Sequence, residues 1–377
     1  MIGDRMKHSL SKLFKTRKPY DEVRNEAYFL DAIRDSVEHY YVENECYRKI
    51  CEDSNFTSRE IHNIGDLYKI PVIPTLYFKR NPMETSQKKL IEVTSSGTSG
   101  KVSKIGFRWR ELRLLAHMAI RLGRVHGLFS MKPTHSILLG YQPTKKNQTV
   151  ISKTASLSTL YAFSISRTYA LTWSNGEYQL DLERLIHQLE KYQDGIWPVR
   201  VIGFPSYTYF LLHKMKQENR KCHLPSGSKV LLGGGWKQFA GEEVDKETLT
   251  QLVEEVLGVK KENIHEFYSA AEHPILYCTC KNHRFHVPVY GKVLIRDVST
   301  LKPMPKGEVG LVNLITPLQA SIPLTSVMTD DLGILQDGKQ CGCGIETDYL
   351  EILGRVGVND IKTCSAGARE YLKGYEV

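Results

Sequence analysis

An α/β fold is the expectation, and three observations carry it. Over the first two-thirds of the 377 residues, short apolar runs alternate with amphipathic stretches, the pattern of a sheet covered by helices. From 285 to 335 the pattern shifts to brief apolar segments separated by turn residues, so the last third should be β-rich. A hydrophobic share of 41% and a charged share of 25% are ordinary for a globular chain, and no apolar run is long enough to span a bilayer.

The elements follow in order. Residues 1–18 alternate bases with single apolar residues and lack the apolar centre of a signal peptide. They read as a frayed, solvated terminus, with a basic amphipathic helix touching a membrane or partner as the alternative; a cytoplasmic protein is the default. Between 20 and 60, Tyr28, Phe29, Ile33, Val37, Tyr40 and Tyr41 recur at three- and four-residue spacing, which predicts helix. The prolines of IGDLYKIPVIPTLYF then interrupt regular structure. LIEV at 90–93 reads as a short buried strand, and 109–128 as a helix with one apolar face. HSILLGY, YALTW and VRVIGF read as buried strands, SYTYFLLHKMKQENR as a helix, and KVLLGGGW as a strand running into a glycine turn. ETLTQLVEEVLG is an amphipathic helix and IHEFYS a strand; FHVPVYGKVLIRDV, GEVGLVNLI and IPLTSVMTDDLGIL supply the short strands of the last third.

The formal charge of +9 is a modest excess. It suits either solubility or an anionic ligand or partner. The eight cysteines, Cys46, Cys51, Cys222, Cys278, Cys280, Cys341, Cys343 and Cys364, do not suggest a disulfide scaffold in a chain of this length without a signal peptide.

Three groups of residues could carry chemistry. The first is TSSGTSGK: Thr94, Ser95, Ser96, Gly97, Thr98, Ser99, Gly100 and Lys101. Backbone N–H groups, hydroxyls and a terminal Lys can wrap a polyphosphate, but the spacing is not that of the common NTPase loop. Alone, such a run is as readily a linker. The second is LYCTCKNHRFHVP with QCGCG, where Cys280, His286, Cys341 and Cys343 could close a tetrahedral Zn²⁺ site. Cys278 and His283 compete as ligands; ordinary buried cysteines are the bland reading. The third is Cys364, the single cysteine of the tail GVNDIKTCSAGAREYLKGYEV, with Lys362 and Arg369 near it in sequence. Nearby cations lower a thiol pKa and favour the nucleophilic thiolate.

TSSGTSGK resembles the phosphate loop of the adenylate-forming superfamily, which joins carboxylates to AMP using ATP. Further motifs stand in that superfamily's order: LLGGGW, EFYSAAEH, MTDDLGIL and ILGRVGVNDIK. The resemblance implies that Gly233, Gly234 and Gly235 wall the adenine, Tyr268 stacks on it, Glu272 helps hold Mg²⁺, Asp331 binds the ribose, and Arg355 marks the hinge. With IGDLYKIPVIPTLYFK, GFPS and CGCG…EILGR, the chain looks most like the phenylacetate-CoA ligase branch and, within it, the LuxE-type acyl-protein synthetases of bioluminescence. Some relatives in that branch have a similar Cys/His arrangement.

The resemblance implies a large N-terminal adenylate-forming (acyl-CoA synthetase-like) domain with a β-rich final third, its mobile C-terminal domain mostly missing. The implied division is 1–60 helical, 61–354 core, and 355–377 hinge and tail. Only 13 residues follow Cys364, which favours an acyl acceptor other than free CoA. The activity that the resemblance implies is ATP-dependent activation of a long-chain fatty acid, with Lys101 and Glu272 assisting, and transfer to Cys364. Partners would be reductase and acyltransferase subunits of a hetero-oligomeric fatty acid reductase complex, with no nucleic acid. The competing readings are an acyl- or aryl-CoA ligase and, from another class, a zinc-stabilised binding module.

Overall fold

Helix α1 (Ile2–Lys15) begins the chain, followed by α2 (Glu22–Glu43) and α3 (Glu45–Asp53). Then come β1 (Ile73–Pro74), α4 (Thr75–Arg80), β2 (Ile91–Thr94), β3 (Lys104–Phe107) and α5 (Trp109–Val125). The middle of the chain carries β4 (Thr134–Tyr141), β5 (Ser164–Ser174), β6 (Glu177–Leu180), α6 (Leu182–Gln193), β7 (Val199–Gly203), α7 (Pro205–Gln217), β8 (Lys229–Gly233), α8 (Lys246–Leu257) and β9 (Ile264–Ala270). The remainder is mostly strand: β10 (His273–Cys278), β11 (Phe285–His286), β12 (Lys292–Arg296), β13 (Val309–Ile315), β14 (Ser326–Gln336) and β15 (Tyr349–Arg355). This computed structural model describes residues 2–81, 83–85, 90–94, 103–143, 161–174, 177–236 and 243–355. They divide into two units: Met1–Leu122, Ser269–Tyr277 and Arg284–Val377 in the first, Gly123–Tyr268 and Cys278–His283 in the second.

In the first unit the N-terminal stretch corrects the expectation of a frayed terminus. Leu10, Leu13 and Phe14 are buried, and the Phe14 ring centroid lies 5.0 Å from that of Tyr290. Read linearly, these residues are isolated among bases; at helical spacing they form one face. The helical stretch after it is two helices, because Asn44 serves both. Its N–H closes α2 on the Tyr40 carbonyl, and its side chain accepts from the Tyr47 N–H at 2.8 Å to cap α3. LIEV is also corrected: β2 forms, paired antiparallel with β3, but Leu90 and Ile91 are exposed. Such a two-stranded ribbon lacks the cover that an apolar run suggests.

The first unit's main sheet runs β11-β15-β14-β13-β12, with β1 added parallel to β14. A buried polar chain locks it. Arg296 donates to the Asn313 side chain at 2.8 Å and to the Leu301 and Tyr68 carbonyls at 2.9 and 3.0 Å. Asn313 in turn donates to Ser326 Oγ and the Val327 carbonyl. Every nitrogen of that guanidinium has an acceptor, as a buried cation requires.

The second unit is built on the strand order β9-β8-β7-β4-β5-β6, parallel from β9 through β4 to β5, with β6 antiparallel. Alternate residues face two different cores. Ile137, Leu139, Val199, Val201, Val230, Leu232 and Ile264 join the helices α6, α7 and α8, while Leu138, Ile202 and Leu231 join Leu128 and Cys278. Cover on both faces is why these strands read as unbroken apolar runs. The helices start where caps permit: Asp181 accepts from Arg184 N–H, Pro205 opens α7, and Asp245 accepts from Thr248 N–H.

Candidate nucleotide and metal sites

In the second unit, Gly233 ends β8 and pairs in register with Phe267 of β9. Gly234 and Gly235 follow with φ of 86° and 66°, a left-handed turn that only glycine adopts without strain. Both are exposed. Beside this turn, β9 presents Tyr268. Its neighbour Phe267 packs into the core with Leu231 and Cys278, so Tyr268 faces the other way and is half-buried. The glycine turn and Tyr268 thus share the carboxyl ends of adjacent parallel strands, where α/β sheets place their ligands. Trp236 is buried after the turn, its ring 5.6 Å from Tyr209.

In the first unit, Glu272 occupies the turn before β10 and is 4% exposed. Its Oε1 is buried without a hydrogen-bond partner among the described residues. The adjacent His273 cannot supply the missing charge. Its ring is fully buried, burial pushes its pKa down to about 3, and its Nε2 is engaged with the Tyr277 hydroxyl at 3.0 Å. A buried carboxylate oxygen without a donor is costly, and a bound cation would satisfy it. Asp331 lies across the β14–β15 ladder from Arg355, in register, and accepts from Arg355 Nε at 3.1 Å.

The Cys/His expectation meets a compact group. Ligand atoms of Cys280, His286, Cys341 and Cys343 all lie within 4.8 Å of one another. His286 Nδ1 lies 2.7 Å from the Thr347 carbonyl. As donor there it leaves Nε2, 3.2 Å from Cys343 Sγ, with its lone pair toward the thiols; a second partner that fixes the tautomer is what metal-bound histidines have. Burial holds the His286 pKa below its ordinary value, favouring the neutral ring. Backbone N–H groups of Asn282 and Ile345 donate to Cys280 and Cys343 Sγ at 3.4 and 3.3 Å. Gly342 and Gly344, with φ of 67° and 97°, let the chain turn at each cysteine of CGCG. This donor set fits tetrahedral zinc. Cys278 is instead buried in the apolar core of the second unit; it is the last residue of β10, and the chain leaves the strand before Cys280.

Thr94 is the last residue of β2. Ser95, Ser96, Gly97, Thr98, Ser99, Gly100 and Lys101 lie outside the described residues, as does Cys364. Among the described residues, no helix is long and apolar enough to cross a membrane. Sequence reading passed over Arg200. In VRVIGF it looks like an outward-facing polar residue, yet it is 1% exposed. Only its strand neighbours' double-sided burial could have flagged it.

Comparison with known proteins places this arrangement. Residues 14–372 match the family model described as acyl-protein synthetase, LuxE. A long-chain-fatty-acid–luciferin-component ligase of Aliivibrio fischeri is 28% identical over 312 residues, 81% of this chain and 78% of the relative. A protein of the same name from Vibrio harveyi is 26% identical over 339 residues, 88% of this chain and 85% of the relative. Among solved structures, 2-hydroxyisobutyryl-CoA ligase in its postadenylation state superposes with a TM-score of 0.66 at 16% identity, covering 90% of this chain and 70% of that one. That likeness makes the fold the adenylate-forming one.

Proposed function

This chain belongs to the acyl-protein synthetase family, LuxE, and from that premise we propose how its residues perform the activity. It activates a long-chain fatty acid with ATP and passes the acyl group to a thiol of the chain itself. The observation that carries the reading is the reach of the family match, from residue 14 to 372. It takes in every nucleotide motif and Cys364.

The fatty carboxylate attacks the α-phosphorus of ATP, and pyrophosphate leaves. The donors of Thr94 to Lys101 offset charge on the leaving phosphates. Tyr268 and the turn at Gly233–Gly235 hold the adenine, and Asp331, oriented by Arg355, accepts from the ribose hydroxyls. Glu272 would hold Mg²⁺, whose charge would stabilise the polyphosphate; the Oε1 left without a partner among the described residues supports this role. The contribution of these groups is positioning and electrostatics. The Cys364 thiol then loses its proton to solvent and its sulfur attacks the acyl carbonyl. AMP leaves and a thioester remains. The chain segment at 355–377 thereby does the work that pantetheine does in CoA ligases. Downstream, the acyl group goes to a reductase within a cytoplasmic hetero-oligomer that includes an acyltransferase.

Fatty-acid-dependent exchange of labelled pyrophosphate into ATP tests the activation step. Exchange that rises with tetradecanoic acid and not with phenylacetic acid supports the reading; exchange with neither acid contradicts it.

Zinc at Cys280, His286, Cys341 and Cys343 is structural in this proposal, since four protein ligands leave no open position for chemistry. Metal analysis should give one zinc per chain, and a strong chelator should lower the unfolding midpoint. Paired Cys341→Ser and Cys343→Ser substitutions should remove both the zinc and the chelator's effect.

A further inference from the structure

We propose that the second unit binds a small inorganic anion against the guanidinium of Arg200, at the amino-terminal ends of its strands. The glycine turn and Tyr268 occupy the opposite, carboxyl ends, so this site is separate from the nucleotide reading.

Arg200 and Arg296 are both deeply buried, and they are treated differently. Arg296 has acceptors at all three nitrogens. Arg200, 1% exposed, donates from Nη2 to the Leu128 carbonyl at 2.6 Å, while its Nε and Nη1 have no partner among the described residues. Arginine carries only donors and keeps its charge in proteins. Its missing partner must therefore be an acceptor, and a negative one offsets the cost of burial.

Register adds a further cation and places neutral imidazoles in the same unit. Arg200 pairs directly with Lys229 of β8, so the two side chains emerge on one face. Lys229 reaches the Asn263 side chain at 2.6 Å. Burial and the Arg200 charge both hold its pKa below the ordinary lysine value. On the same face of β9, two residues beyond Asn263, stands His265. It is 5% exposed, and neither ring nitrogen closes a well-aligned hydrogen bond among the described residues, although the Thr279 backbone lies near enough to raise its pKa slightly against the effect of burial. His283 Nε2 is likewise buried and unpartnered. A neutral imidazole has one N–H to donate, and burial, which pushes the His265 pKa down to about 3, keeps that ring neutral. Among the described residues no carboxylate forms an ion pair with Arg200 or Lys229; the acid whose field reaches Lys229 is Glu262, which is exposed.

The enclosure selects the ligand's size. Leu138, Ile202 and Leu231 lie on the same face, and the guanidinium and the His265 ring are almost wholly shielded from solvent. A nucleotide or a peptide carboxylate would have to keep part of itself in water. A chloride or an orthophosphate need not.

The test uses the full chain, exchanged into sodium gluconate, whose anion is too bulky to enter. Thermal unfolding is then followed as gluconate is replaced by chloride or by phosphate at constant ionic strength. A ligand bound only by the native state shifts the folding equilibrium about a hundredfold at a hundred times its Kd. The midpoint of the wild type should therefore rise with one or both anions, and the difference between the two arms identifies which one fits. Arg200→Met and Lys229→Met should each abolish or weaken that rise. Crystals of the wild type soaked in bromide or in phosphate should show, in the arm that stabilises, an anomalous peak or tetrahedral density within hydrogen-bond distance of Arg200 Nε or Nη1, a result that does not depend on the variants folding. Equal anion dependence in the variants, or ordered water at those nitrogens in both the bromide and the phosphate soaks, would overturn the proposal.

Discussion

Glu272→Gln should reduce fatty-acid-dependent pyrophosphate exchange by on the order of 10²–10³-fold, the range for removing one preorganised electrostatic partner of a transition state. It should do so without destabilising the fold. The carboxylate is 4% exposed, and its Oε1 has no donor among the described residues. In the absence of a cation Oε1 is a buried acceptor without a donor, and an amide of the same shape puts no charge there. The expected pair of results is therefore a large loss of activity with an unfolding midpoint that is unchanged or higher. A purely structural glutamate would give the reverse, a lower midpoint with activity falling only as folded protein is lost. Measuring exchange against Mg²⁺ concentration sharpens the comparison. If Glu272 holds the metal, part of the deficit should be recovered at high Mg²⁺.

Cys364→Ala should separate the two half-reactions. Pyrophosphate exchange should persist, because the carboxylate attacks ATP before any thiol is needed. The covalent acyl adduct should vanish, because alanine offers no nucleophile. A serine variant should acylate far more slowly, since a hydroxyl has no accessible anionic form near neutrality, whereas a thiol flanked in sequence by Lys362 and Arg369 does. Other cysteines are poorly placed to substitute. Cys51 and Cys222 are buried, and burial pushes their thiols up to about 12 and about 11. Burial raises the Cys278 thiol well above its ordinary value, and Cys280, Cys341 and Cys343 belong to the metal group. An adduct that survives Cys364→Ala would therefore direct attention to Cys46, which is half-buried and 3.1 Å from the Tyr77 hydroxyl.

Much of the architecture was legible because local and tertiary signals agree in it. VRVIGF and KVLLGGGW read as strands, and they are neighbours in a parallel sheet covered on both faces. ETLTQLVEEVLG read as a helix, and its Leu249, Leu252, Val253 and Val256 point into one core. The grouping of Cys280, His286, Cys341 and Cys343 was legible from ligand type, spacing and resemblance, but alternation gave no ground for setting Cys278 aside: residues two apart on a strand share a face, and Cys280 lies beyond the end of β10 at Cys278. What failed had a common cause: burial is set by what covers a segment, which a short window does not contain. Leu13 and Phe14 are buried although their surroundings in sequence are basic, while Leu90 and Ile91 are exposed although theirs are apolar. Arg200 is the extreme case, a charge enclosed at the end of a strand whose pattern predicts an outward side chain. Likewise, the resemblance of EFYSAAEH to a superfamily motif points to Glu272, but only the structure reveals that its Oε1 lacks a donor among the described residues.

The central claim, that this chain makes an acyl-adenylate and captures the acyl group on its own thiol, is tested most directly by intact-protein mass. The full chain is incubated with Mg²⁺, ATP and tetradecanoic acid, and the product is then mapped by peptide. The account predicts one added tetradecanoyl group per chain, dependent on ATP, removed by hydroxylamine and located on the peptide containing Cys364. An unmodified chain that instead releases tetradecanoyl-CoA when CoA is supplied would contradict it.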